Sequence, residues 1–202
     1  MKLGYTGIVV VSAIAVLAAA MARAEAPPKA TPAAAFVSPA FAVPTRVATP
    51  QFTLVPLGPA LAQIDFTAYM ASIEHLQTTF TRSTEWPHAG ITAADAMGDM
   101  EAEQARFRAR SSFAYAVLTP DGKRERGCIY VSPSPVAGYD AVVRIWVTKA
   151  EYDAGFDAAL YKWAADWVKK SWRFKKVAYP GRAIDWRTWD GLVAAKPGGV
   201  SG

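Results

Sequence analysis

Between Ala141 and Tyr179 the chain reads as strand, short loop, long amphipathic helix and strand, the order of a crossover between parallel strands. Ala141 to Val147 alternates Val143, Ile145 and Val147 on one face with Arg144 and Trp146 on the other, the period of two that a strand requires. Phe156, Leu160, Trp163, Trp167 and Val168 then recur at helical spacing, and Phe174 to Tyr179 is β-prone before Pro180 and Gly181 end it. Two strands joined by a crossover helix lie parallel in one sheet.

The residues before this unit predict antiparallel partners for it. Ser112 to Leu118 and Arg126 to Val131 flank Thr119-Pro120-Asp121-Gly122, a turn sequence that makes them a hairpin. Further upstream, Gln51 to Leu57 is a short β-prone run. Asp65 begins a helix to about Phe80, with Phe66, Tyr69, Met70, Ile73, Leu76 and Phe80 on one face. Thr92 and Asp95 open a second helix as a capping box, with Met97, Met100 and Phe107 inward. The predicted order is β-α-α-β-β-β-α-β, an α+β domain with a mixed, mostly antiparallel sheet flanked by helices.

The first 50 residues have a different character. Lys2, an apolar run from Ile8 to Met21, and Ala22-Arg23-Ala24 make residues 1–24 a secretory signal peptide. The alternative is an uncleaved membrane anchor, although the apolar run falls short of the roughly 20 residues that span a bilayer. Residues 25–50 hold six prolines and no sustained period, so an Ala/Pro-rich linker is expected there. Residues 51–189 form the domain and 190–202 a flexible tail. The expected location is periplasmic or secreted, with membrane contact only through an uncleaved signal segment.

Charge narrows the choice of partner. Removing Lys2 and Arg23 leaves 20 basic residues against 17 acidic ones, a net charge of +3, and the two signs are interspersed. Nucleic-acid binding needs a basic patch that neutralises several phosphates, and none is legible. A small-molecule ligand or an envelope protein is the expected partner. Cys128 is the single cysteine, so the domain has no internal disulfide; its apolar strand makes it a small buried hydrophobe rather than a nucleophile.

Other candidate groups each have a plainer reading. Asp95, Asp99 and Glu103 are strung along about 12 Å of helix and do not converge, so no metal is expected. His75 and His88 are potential general bases with no nucleophile at a telling spacing. Trp186 and Trp189, near Arg182, Asp185 and Arg187, line an aromatic pocket or pack the tail onto the sheet. Arg144, central in its strand, needs either a carboxylate such as Glu125 or Asp140 or an anionic ligand.

Residues 52–182 resemble the acyl-coenzyme A N-acyltransferase (GNAT) superfamily. The resemblance rests on element order and on three stretches: Phe113-Ala114-Tyr115-Ala116-Val117 leading into Gly127-Cys128-Ile129-Tyr130, Val142 to Val147 feeding the long helix, and Trp172-Arg173-Phe174-Lys175-Lys176-Val177. It implies acetyl-CoA or another acyl-CoA as donor, its pantetheine along the backbone of Trp146, Val147 and Thr148, and its pyrophosphate at the helix start near Gly155. The catalytic residues remain unknown at this level. The family's phosphate motif places Arg or Gln where Tyr152 stands and Gly or Ala where Asp157 stands. Glu151, Asp153 and Asp157 against Lys149 are expected to repel an anion there. Two readings follow: an exported N-acyltransferase with a degenerate pyrophosphate motif, or a non-catalytic periplasmic ligand- or protein-binding domain on the same fold.

Overall fold

The computed structural model describes residues 35–195. The signal-peptide expectation and the ends of the expected linker and tail lie outside the described residues. One sheet of six strands runs in the spatial order β1 (Val47–Ala48), β2 (Thr53–Pro56), β3 (Phe113–Leu118), β4 (Glu125–Pro133), β5 (Ala141–Val147) and β6 (Val177–Ala178). All neighbours are antiparallel except β5 and β6, which pair in parallel. The helices are α1 (Ala62–Met70), α2 (Ile73–Leu76), α3 (Ala93–Arg108), α4 (Lys149–Asp153), α5 (Phe156–Ser171) and α6 (Trp186–Ala194).

Every residue of β3 is buried because apolar layers cover both faces of the sheet. Phe113, Tyr115, Val117, Ile129, Val131, Val143, Ile145 and Val147 form the face packed on Phe156, Leu160, Ala164, Trp167 and Val168 of α5. Ala114, Ala116, Cys128 and Trp146 face Ala68 and Tyr69 of α1 and Ala96 and Met100 of α3. The alternation read along β5 therefore separates two cores rather than core from solvent.

Several local readings change. The expected helix from Asp65 to Phe80 divides at Ser72, whose backbone leaves the helical region (φ −142°, ψ 24°) while its Oγ accepts the Lys149 amide at 2.9 Å. Asp65 is no cap: α1 begins at Ala62, and Asp65 lies in mid-helix, 4% exposed, facing β4. There it meets Glu125 and Cys128, with Cys128 Sγ 2.8 Å from Glu125 Oε1. Burial raises the Asp65 carboxyl to about 7 and lifts Glu125 well above the carboxylate range. Cys128 is buried as expected, but its neighbours include two acids as well as hydrocarbon.

The Thr92 capping box forms, with Asp95 N–H donating to Thr92 Oγ1 at 3.2 Å and Thr92 N–H to Asp95 Oδ2 at 2.9 Å. Met97, expected inward on α3, is exposed, and Ala96 takes its place in the core.

The ordered domain begins before Gln51. Phe36 stacks on Phe174 at 5.0 Å, Phe41 tilts against Trp172 at 5.3 Å, and Val47–Ala48 pair with β2. Prolines disrupted the regular period without preventing aromatic burial. The segment expected as a loose tail from 190 continues α6 instead. Asp185 caps that helix, and Arg82 holds Asp190 through two hydrogen bonds of 2.7 and 2.8 Å.

Candidate functional site

Strands β5 and β6 pair only as Ala141↔Val177 and Val142↔Ala178. Beyond Ala178 the chain turns, with Gly181 at φ +73° and its amide donating to the Ile184 carbonyl at 2.7 Å. From Val143 to Val147, β5 continues with β4 as its sole strand partner among the described residues. Trp146 and Val147 are 2% and 1% exposed, their side chains in opposite cores. Their side chains are thus committed to packing, and recognition at this edge falls to the backbone. Thr148 caps the start of α4, its Oγ1 accepting the Glu151 amide at 3.3 Å.

The long helix predicted after β5 is two helices. Between them Gly155 takes φ +76°, which L side chains rarely adopt, and forms the N-cap of α5. A Cβ built there would meet nothing within 4 Å, so the start of α5 is open. No side chain caps the first turn, whose amides and dipole favour an anion.

The carboxylates expected to repel an anion are each compensated. Glu151 bonds Arg124 at 2.7 Å and Arg126 at 2.5 Å. Asp153 holds Lys149 at 2.6 Å. Asp157, nearly buried in the first turn of α5, is gripped by both terminal nitrogens of Arg182. Four cations against three carboxylates leave a local charge of +1. This corrects the expected repulsion, because three of the cations are arginines distant in sequence from the helix start. Burial alone would raise the Glu151 carboxyl, but hydrogen bonds from Arg126 and Arg124 outweigh it and hold it below its ordinary value. Only half of a Thr148–Glu151 capping box forms, since the carboxylate turns to the arginines.

His75 reaches the same end of β5 from α2. Its half-buried ring lies 4.8 Å from that of Tyr152. Burial is the main cause of its lowered pKa; Asp157 opposes the shift and Lys149 reinforces it. The imidazole is therefore largely neutral near pH 7 and able to accept a proton. His75 lines an open cavity of about 550 Å³ with Ser72, Glu74, Thr78, Thr79 and Lys149. No local motif marks this histidine; only folding brings it to Tyr152 and Lys149.

The remaining candidates take structural roles. His88 Nδ1 accepts the Gly90 amide at 3.1 Å within its own loop. Asp95 serves the capping box, and Glu103 pairs with Arg106. Trp189 packs on Tyr139, while Trp186 lies beneath Arg82. Arg144 reaches neither expected carboxylate. It donates to the Phe80 carbonyl at 2.6 Å and lies over the Phe80 ring, whereas Asp140 accepts the Lys175 and Lys176 amides and Glu125 faces Cys128.

Neither a protein-family model nor a curated protein matches the chain. Among solved structures it is similar to a ribosomal-protein-S5-alanine acetyltransferase from Vibrio fischeri, with 12% identity and a TM-score of 0.54 over 66% of this chain and 72% of that one. A Bordetella pertussis structure titled as a GnaT-family acetyltransferase is 20% identical, with a TM-score of 0.48 over 66% of this chain and 77% of that one. A mostly antiparallel six-stranded sheet with one parallel pair, together with the first of these likenesses, shows that the chain has the fold of the acyl-coenzyme A N-acyltransferase (GNAT) superfamily.

Proposed function

We propose that this chain is an exported N-acyltransferase that takes its acyl group from acetyl-CoA or another acyl-CoA. One observation carries the reading: the β5 edge from Val143 to Val147, without a second strand partner among the described residues, leads to an open, uncapped and net positive helix start at Gly155. Such an edge can pair with the amides of a pantetheine arm, and such a helix start suits a pyrophosphate. In this reading the backbone of Trp146, Val147 and Thr148 takes the pantetheine and the helix start at Gly155 the pyrophosphate.

His75 is the proton acceptor in this reading. The acceptor amine attacks the thioester carbonyl, its proton passes to His75, the new C–N bond replaces the C–S bond, and the departing sulfur takes up a proton. A cavity lined by Ser72, Thr78 and Thr79 suits a small polar amine.

A second reading, a non-catalytic ligand- or protein-binding domain, draws support from Arg182. That guanidinium, at the α5 start, is already engaged by Asp157.

Calorimetric titration of the full chain with acetyl-CoA and then coenzyme A tests the proposal. Saturable micromolar binding, weakened roughly tenfold or more by Arg182→Gln, is expected for loss of a charge-assisted phosphate contact. No heat and no thermal stabilisation at millimolar ligand would remove the donor reading. Binding without thiol release in the presence of varied amines would favour the second reading.

A further inference from the structure

A cavity of about 500 Å³ lies at the far end of β5 from Gly155, and the proposed transfer makes no use of it. Asp140, the residue before β5, lines one side, and the segment from Trp172 to Lys175 that leads into β6 lines another. Phe36, Val37 and Phe41 close it from the N-terminal side. Thr148 follows β5 at its opposite end, and the seven residues of the strand, at about 3.3 Å each, hold the two places roughly 20 Å apart. The closing segment is fastened from across the domain. Phe36 N–H donates to the Arg110 carbonyl at 2.7 Å, and Arg110 Nη2 donates to the carbonyls of Ser38 and Phe41 at 2.7 and 2.6 Å. The cavity is therefore preformed, which lowers the ordering cost of filling it.

Three features of the lining point to one kind of occupant. The first is flat aromatic surface: Phe36 stacks on Phe174 at 5.0 Å with 16° between the planes, and Phe174 stacks on Trp172 at 5.5 Å with 14°. Such near-parallel rings offer a further ring a place to stack. The second is charge. Arg173 and Lys175 are exposed cations of the lining, and neither forms an ion pair among the described residues. Asp140, the one acid in the lining, is already engaged, its Oδ2 accepting the Lys175 and Lys176 amides at 2.6 and 2.9 Å. Two cations against one carboxylate leave the cavity at +1. The third is an orphan donor. Trp172 is 4% exposed, and its Nε1 is buried with no hydrogen-bond partner. Leaving such a group unpaired is costly, and buried indole N–H groups usually find an acceptor.

We propose that this cavity binds a small aromatic carboxylate, its ring against the Phe36, Trp172 and Phe174 rings and its carboxylate paired with Arg173 and Lys175. A ligand oxygen at the edge of Trp172 supplies the missing acceptor after a small rotation of the indole. A cavity of this volume is in the range that holds a small organic molecule, with aromatic walls for affinity and a few polar groups for orientation. The site is separate from the β5 edge and the Gly155 helix start, so it stands whether or not the chain transfers acyl groups.

The test is calorimetric titration of the full chain with indole-3-acetate, with indole-3-acetamide, which keeps the ring and loses the charge, and with acetate, which keeps the charge and loses the ring. Saturable binding of indole-3-acetate is expected, with the amide weaker by roughly tenfold or more and no saturation by acetate over the same range. Arg173→Gln combined with Lys175→Gln, both at exposed positions, should bring indole-3-acetate down to the affinity of the amide, while the surface-charge control Lys123→Gln leaves it unchanged. In nitrogen-15 spectra the Trp172 indole resonance, identified by its loss in Trp172→Phe, should move with the same midpoint. If Trp172→Phe does not fold, the amide comparison and the exposed double variant decide. No saturation at millimolar ligand, an amide that binds as tightly as the acid, or affinity that survives the double variant would overturn the site. Competition with coenzyme A would place the ligand at the helix start and overturn it equally.

Discussion

Asp157→Asn separates two contributions that the structure places in opposition. Asp157 is 7% exposed and holds Arg182, with Nη2 to Oδ1 at 2.6 Å. Removing one partner of a fully buried pair costs about 3–5 kcal/mol. Here the Arg182 side chain is 27% exposed, so solvent recovers part of that cost, and a substituted amide can still accept one hydrogen bond. Loss of a carboxylate near the α5 dipole adds roughly 0.3–1 kcal/mol. A destabilisation of about 2 kcal/mol follows, or a fall in Tm of roughly 4–8 °C for a domain of this size. Affinity for coenzyme A should move the other way. A unit charge about 5 Å from a phosphate contributes roughly 3 kcal/mol at an effective dielectric constant of about 20, and screening at the open Gly155 reduces this to about 1–2 kcal/mol. The variant should therefore melt earlier yet bind coenzyme A roughly tenfold more tightly, with Arg182 released to the phosphates. Thermal denaturation and calorimetry on the same preparation read both quantities. If Asp157→Asn weakens binding as much as Arg182→Gln does, the carboxylate positions the arginine instead of competing for it, and the reasoning fails.

Three further outcomes follow from particular contacts. Deleting residues 1–50 removes the aromatic contacts of Phe36 and Phe41 and the β1 pairing, so circular dichroism should show a domain destabilised by at least about 3 kcal/mol; an unchanged Tm would restore the loose-linker reading. His75 has a folded pKa below its unfolded value of about 6.5, so the folded state binds fewer protons. Its contribution to stability is complete above pH 6.5 and is lost as pH falls toward the folded pKa. Any transferase activity should retain a plateau at pH 7 and decline on the acid side, whereas His75→Gln should remove that limb with most of kcat. Gly181→Ala imposes a Cβ at φ +73° and within 2.5 Å of the Trp186 ring, so it should cost about 2 kcal/mol or more in urea denaturation; a neutral result would show that this turn relaxes freely.

Much of the fold was legible because its signals are local and periodic. The two-residue alternation of β5, the Pro-Asp-Gly hairpin, the Thr92 capping box and the apolar stripe of α5 are properties of neighbouring residues. Together they dictated a mixed sheet with one crossover. Where a side chain serves a distant partner, the same reading failed: Ser72 interrupts a well-formed helical stripe to accept the Lys149 amide, and Asp65, placed as a cap, turns inward to Cys128. The site divides along the same line. That residues 146–148 end a strand and Gly155 precedes a helix could be expected from element order, but the charges around them could not. Arg124, Arg126 and Arg182 meet Glu151 and Asp157 from 25 to 27 residues away, and His75 meets Tyr152 from 77 residues away. Local preference depends on each residue's own backbone and near neighbours, so the sequence by itself determined the elements and their order; charge compensation and burial depend on distances across the fold, so only the tertiary structure decided which side chains face one another.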